Sequence, residues 1–153
     1  MTNTVKNKGN KELNFAIVQS RFNEKISERL LAGALSCFRE QGYNENEIPV
    51  IKVPGAFEIP LVAGKLASTE KYDAIICLGA VIKGETAHFE YISKAVTDGI
   101  LQVGLKHGLP VIFGVLTAYD EQQAEERSGE RENNKGWEAA ETAIEMANLL
   151  KKI

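Results

Sequence analysis

Four stretches of this chain are almost continuously apolar: "LNFAIVQ" (Leu13 to Gln19), "PVIKV" (Pro49 to Val53), "AIICLGA" (Ala74 to Ala80) and "VIFGVL" (Val111 to Leu116). Each has the length of a strand and is rich in β-branched residues. Unbroken hydrophobicity, as opposed to strict alternation, marks parallel strands covered on both faces. Between them the period changes. Ile26, Leu30, Ala34 and Phe38 recur every four residues, with a stop at Gln41-Gly42. "IPLVAGKLAS" (Ile59 to Ser68) carries Pro60 in what would be a first helical turn, where proline is tolerated. Phe89, Ile92, Val96, Ile100 and Val103 step by threes and fours along one helical face, which ends at His107-Gly108 before Pro110. A last helix, from about Gly136 to Lys151, puts Ala140, Ala143, Ile144 and Ala147 on one side.

Strand–helix alternation of this kind predicts a doubly wound α/β fold: four parallel strands, helices on both faces, right-handed crossovers. A polar arm occupies residues 1–12 and a single domain residues 13–153. Folds of this class bind ligands beyond the carboxyl ends of their strands. The segments to inspect are therefore "SRFN", "PGAFE", "AVIKGETAH" and "TAYDEQ".

The loop after the third strand carries the most chemistry. Gly79 and Gly84 are spaced as in a nucleotide-triphosphate loop, but Glu85 stands where such loops need lysine. A triphosphate is poorly served there. A single phosphate is not, because the N–H groups of Glu85 and Thr86 lie at a helix start and the Thr86 hydroxyl adds a donor. Gly84 would permit a tight turn and close backbone approach. The plainer alternative is a capping turn with Thr86 as N-cap. His88 falls in the first helical turn, where the dipole disfavours its cation and a neighbouring phosphate would favour it. Opposed influences of that sort suit a proton shuttle, although a lone histidine can equally be structural. His107, before Gly108, reads as a helix-end residue.

The other strand ends are more ambiguous. Phe22 could cover a planar ring or staple onto the following helix. Glu58, after Ala56 and Phe57, could complement a helix dipole or accept hydrogen bonds from a polyol. Phe113 sits within a strand, where core packing is the default. Arg127 and Lys135 lie in the charged connector "EERSGERENNKG" and read as solvated surface.

Bulk properties narrow the options further. With 153 residues, 44% hydrophobic and 25% charged, the chain has the make-up of an ordinary globular domain. A net charge of −3 gives no general attraction to nucleic acid or an anionic membrane, so any anion site must be local. The longest apolar run, Ala74 to Ile82, is too short to span a bilayer, and the polar N-terminus lacks a signal-peptide core. Cys37 and Cys77 stand in apolar settings without CxxC or paired histidines, so buried free thiols are expected and no metal site is. A cytoplasmic location is the expectation.

At these same segments the chain resembles the lumazine synthase family of riboflavin biosynthesis. The resemblance runs from about Leu13 to Ile153 and rests on "RFN", "VPGAFEIP", "GAVIKGETAHFEYI", "PVIFGVLT", "ER-G" at Glu126 to Gly129, "NKG" at Asn134 to Gly136 and "AIEMANLL". It implies a three-layer, flavodoxin-like fold. It implies condensation of 5-amino-6-(D-ribitylamino)uracil with 3,4-dihydroxy-2-butanone 4-phosphate to give 6,7-dimethyl-8-ribityllumazine, phosphate and water, without metal or organic cofactor. By the same resemblance Phe22 stacks on the pyrimidine, Ala56, Phe57 and Glu58 line the ribityl and ring site, and Ala80, Val81 and Ile82 offer backbone bonds. Glu85, Thr86 and Arg127 hold the phosphate and His88 transfers protons. Phe113, Arg127 and Lys135 would enter the pocket from a neighbouring subunit.

The family's assembly unit is a homopentamer, and some members close into 60-subunit shells of twelve pentamers that contact riboflavin synthase. Residues Thr2 to Val5 could add a strand to a neighbour's sheet. The chain departs from the family pattern at Gln122-Gln123-Ala124, where Glu-Gln-Ala is frequent, and in the turn "GERENNKG", where "GTKAGNKG" is common. Asn133 falls where glycine is usual, and asparagine is the next-best residue for a left-handed backbone. Two rival readings are a non-catalytic lumazine or flavin binder on a flavodoxin-like module, and the archaeal type of riboflavin synthase.

Overall fold

The computed structural model describes residues 13–153. The polar arm, with the strand expected at Thr2 to Val5, lies outside the described residues. Four strands, β1 (Phe15–Ser20), β2 (Val50–Val53), β3 (Ala74–Ile82) and β4 (Val111–Ala118), form one parallel sheet in the order β2-β1-β3-β4. The helices are α1 (Glu24–Glu40), α2 (Ile59–Ser68), α3 (His88–His107), the short α4 (Glu121–Glu126) and α5 (Lys135–Lys151). This is the doubly wound α/β fold that the strand–helix alternation predicts, in the three-layer, flavodoxin-like form that the resemblance implies. β3 and β4 each run two residues beyond their most apolar stretch, to Ile82 and Ala118.

Period-2 alternation along β3 assigns its side chains to two separate cores. Ala74, Ile76, Leu78 and Ala80 pack with Leu30, Ala34 and Phe38 of α1 and with Ala140, Ala143 and Ala147 of α5. Ile75, Cys77 and Val81 pack with Ile59 and Ala63 of α2 and with Val96 and Ile100 of α3. Both faces of the central strands are thus sealed, which is why their sequences read as unbroken apolar runs. α3 ends at Gly108, whose φ of 58° is the left-handed conformation that glycine adopts without a Cβ clash. Gly136 serves a different purpose: a Cβ there would collide with the backbone carbonyl of Leu30, so its absence lets α5 lie directly against α1.

The chain leaves β1 toward β2 on one side and leaves β3 toward β4 on the other. Reversal of strand order between β1 and β3 opens a crevice at their carboxyl ends, the usual ligand position in such sheets. The three loops after β1, β2 and β3 meet there.

Candidate active site

A cleft of about 440 Å³ fills this crevice. Phe22 and Asn23 line it from the end of β1, Ala56, Phe57 and Glu58 from the end of β2, and Ala80, Val81, Ile82, His88 and Ile92 from β3 and α3. Eight of the expected site residues are therefore brought together here, although they come from three segments far apart in sequence. Asn23, Pro54, Gly55 and Ile92 are additions. Asn23 stood in plain view in "SRFN", whereas Ile92 is simply one helical turn beyond His88.

The lining is unusual in what it exposes. Phe22 is 72% exposed, so it is not a staple onto α1; its ring stands free while its N–H donates to the Pro54 carbonyl at 3.0 Å. Phe57 is likewise more than half exposed. Two open aromatic faces beside an apolar wall suit a planar ring. Glu58 ends a short 3₁₀ turn, Ala56–Glu58, and its Oε1 accepts the Gly55 N–H at 3.0 Å. The remaining carboxylate oxygen has no partner among the described residues and is available to a hydroxyl.

At the end of β3 the backbone itself is on offer. The N–H groups of Ile75 and Lys83 turn toward β4, donating to Pro110 and Ala118 at 2.9 Å each. Alternate residues of a strand share a side, so the peptide groups of Val81 also turn to β4. Those of Ala80 and Ile82 turn to the side that β1 has vacated. Val81 thus lines the cleft with its side chain, while Ile82 presents its N–H and carbonyl.

The loop from Lys83 to Ala87 is exposed and leads into α3 at His88. Thr86 is not the N-cap; that position is Ala87, and Thr86 Oγ1 accepts only a long 3.4 Å bond from the His88 N–H. Gly84 does not take a left-handed backbone either. A Cβ built on it meets nothing within 4 Å, so the space beside this peptide is open. The His88 side chain is exposed and makes no hydrogen bond among the described residues.

Among the described residues no lysine or arginine lines this cleft. The expected cations are elsewhere. Phe113, Arg127 and Lys135 line a second groove of about 540 Å³, which runs along edge strand β4 and α5. Phe113 is 43% exposed, so the default of core packing does not apply. Arg127 Nη1 donates to the Gln123 carbonyl at 3.2 Å and Lys135 Nζ pairs with Glu138 at 2.9 Å. Both contacts are solvent-exposed and of small energetic weight.

The connector that carries these cations is organised by Asn134, a residue of the "NKG" motif to which motif reading assigns no role. Asn134, only 4% exposed, accepts the N–H groups of Gly136 and Trp137 at 2.8 and 3.0 Å and so caps α5. Its Nδ2 donates to the carbonyls of Gly129 and Arg29 at 2.8 and 3.0 Å, tying the loop to α1. Asn133 lies in a right-handed 3₁₀ turn, Arg131–Asn133, and does not take up the left-handed backbone expected of it.

Cys37 and Cys77 are both buried and unpaired. Burial pushes each thiol up to about 12, so neither supplies a nucleophile near neutrality. Among the described residues no helix is long and apolar enough to cross a membrane, and no group of three or more His, Cys, Asp or Glu side chains could hold a metal ion.

The model of the 6,7-dimethyl-8-ribityllumazine synthase family matches residues 12–151, nearly the whole chain and every segment described above. On a match of this extent, the chain belongs to the 6,7-dimethyl-8-ribityllumazine synthase family, a family of enzymes of riboflavin biosynthesis.

Proposed function

We propose that this protein condenses 5-amino-6-(D-ribitylamino)uracil with 3,4-dihydroxy-2-butanone 4-phosphate, releasing 6,7-dimethyl-8-ribityllumazine, phosphate and water. The pyrimidine lies in the cleft against Phe22, with its ribityl chain toward Ala56, Phe57 and Glu58, its polar edge on the backbone of Ala80 and Ile82, and the Val81 side chain against the ring. The ketone phosphate sits over Glu85 and Thr86. His88, between the two, relays protons through Schiff-base formation, phosphate elimination and ring closure.

The observation that carries this reading is the division of charge between two grooves. Among the described residues the cleft has ring-binding surfaces and a histidine but no cation to neutralise a phosphate, and the exposed loop of Glu85 and Thr86 lies outside its lining. The groove on β4 has the missing arginine and lysine and an exposed phenylalanine. Each is half a site, and a ring of subunits that sets the groove of one against the cleft of the next completes both. We therefore propose a homopentamer in which Phe113, Arg127 and Lys135 act on the neighbour's substrates. Leu61, Leu101 and Leu105 on α2 and α3 are each more than half exposed, an apolar outer surface consistent with burial between subunits.

The substrates bring their own nucleophile and leaving group, so positioning is the main task. Proximity is worth up to about 7–11 kcal/mol in well-oriented systems, and a general acid–base about 10²–10⁴-fold. The reading is tested by mixing purified protein with the two substrates and following lumazine absorbance and fluorescence. Formation no faster than the uncatalysed reaction would refute it. Native mass spectrometry tests the assembly: a species of five 16.8 kDa chains is expected, and a fully active monomer would overturn the shared site. A mass twelve times larger would identify the 60-subunit shell.

A further inference from the structure

We infer that Asn23 is a positioning residue for the pyrimidine, acting through the Ala80 carbonyl; the inference rests on the function proposed above. The β1–β3 ladder runs in register only as far as Gln19 and Leu78. Beyond it the chain turns away: the N–H groups of Arg21 and Phe22 donate toward β2, to Val53 at 2.8 Å and Pro54 at 3.0 Å. The carbonyl of Ala80, next along β3 on the vacated side, is left without a strand partner. The Asn23 side chain takes that place, its Nδ2 donating to the Ala80 oxygen at 3.0 Å.

Three features make this more than a local turn. Asn23 has a left-handed backbone, φ 59° and ψ 50°, which few residues other than glycine adopt. Its own carbonyl accepts the N–H groups of Ile26 and Ser27 at 3.0 and 3.1 Å, but its side chain makes no capping bond to α1. The carboxamide is thus committed to β3, although the residue sits where a helix cap would stand. And the residue before it is Phe22, whose ring is exposed and held by no packing of its own.

A planar ring bound here must touch Phe22 on its face and the peptides of Ala80 and Ile82 at its edge. The separation of those two surfaces is set by the Asn23–Ala80 bond on one side and the Phe22–Pro54 bond on the other. Asn23 therefore fixes the width of the ring slot, and it directs the next free peptide groups, those of Ile82, toward the ligand.

Two variants test this. Asn23→Gly keeps the left-handed backbone without strain and deletes only the donor. The expected result is about a three- to tenfold rise in KM for the pyrimidine and in the Kd of 6,7-dimethyl-8-ribityllumazine measured by fluorescence titration, the loss of one neutral hydrogen bond. KM for the phosphorylated ketone and the assembly mass should stay within error. Asn23→Asp keeps the shape but sets a carboxylate oxygen against the Ala80 oxygen. It should bind lumazine more weakly than the glycine variant at neutral pH, because it replaces the donor with a second acceptor. Unchanged lumazine affinity in both variants overturns the inference while leaving the proposed reaction standing. Equal rises in both KM values with a lowered melting point also overturn it, since they indicate a merely structural residue. A wild-type protein that neither forms nor binds lumazine removes the proposed function, and this inference with it.

Discussion

The backbone N–H of Lys135 donates to the carbonyl of Arg127 across 2.8 Å, so the connector between α4 and α5 closes on itself and its two cations emerge from one point. An isolated antiparallel bridge between Ser128 and Asn134 extends the closure. Main-chain bonds of this kind survive truncation of either side chain. The chemistry of Arg127 is therefore separable from the shape of its loop.

Arg127→Ala should weaken binding of the phosphorylated ketone and leave pyrimidine affinity nearly unchanged. Loss of a charge-assisted bond to phosphate costs about 1.5–3 kcal/mol, toward the upper end when the pair is shielded between subunits. Separate KM determinations for the two substrates check this. Equal weakening toward both would mean that the loop has collapsed.

His88→Ala should lower kcat by about one to three decades at unchanged oligomer mass and melting temperature. The side chain is exposed and supports nothing in the fold, so no stability term accompanies its removal. Single-turnover kinetics alongside thermal melting separate the two effects, and full activity in the variant would remove His88 from the mechanism.

Asn134→Ala should behave in the opposite way. It deletes the cap of α5 and two carbonyl partners, one of them the distant Arg29, at a buried position, a loss of about 2–4 kcal/mol. The melting temperature should fall by several degrees, and ketone-phosphate binding should weaken with it because Arg127 and Lys135 lose their common anchor. Calorimetry and KM values measured on the same preparation provide the check; an unshifted melting temperature would show that the four bonds carry little net energy.

The two cysteines predict an alkaline limit to stability. Burial raises both thiols to about 12 in the folded chain, against about 9 when unfolded. Between those values the unfolded chain releases protons that the folded chain keeps, so stability is complete below pH 9 and falls as pH rises toward 12. Tyr43, raised by burial from 10 to about 12, acts in the same direction above pH 10. Denaturant midpoints measured from pH 8 to 11 should decline, less steeply in Cys77→Ala. In the native protein both thiols should resist a thiol reagent at pH 8 and react only after unfolding; rapid native labelling would contradict their burial.

Much of this was legible in the residues alone. Continuous apolar runs and the 3.6-residue period specify the four strands and the main helices, because each reports locally on which faces must leave water. The carboxyl ends of the strands follow from the alternation, and motifs at those ends led to Phe22, Ala56 to Glu58, Ala80 to Ile82 and His88. What periodicity cannot report is which distant group a polar or exposed side chain will meet. Asn134 reaches Arg29 over 105 positions and Asn23 reaches Ala80 over 57, and neither partner carries any local sign of the contact. Phe113 looks like core in its strand and Phe22 like a staple; only the position of β4 at the sheet edge and the turn of the chain toward Pro54 leave both rings exposed. The separation of cations from cleft was decided at the same level. It depends on the order β2-β1-β3-β4, a property of how the strands pair and not of any one of them.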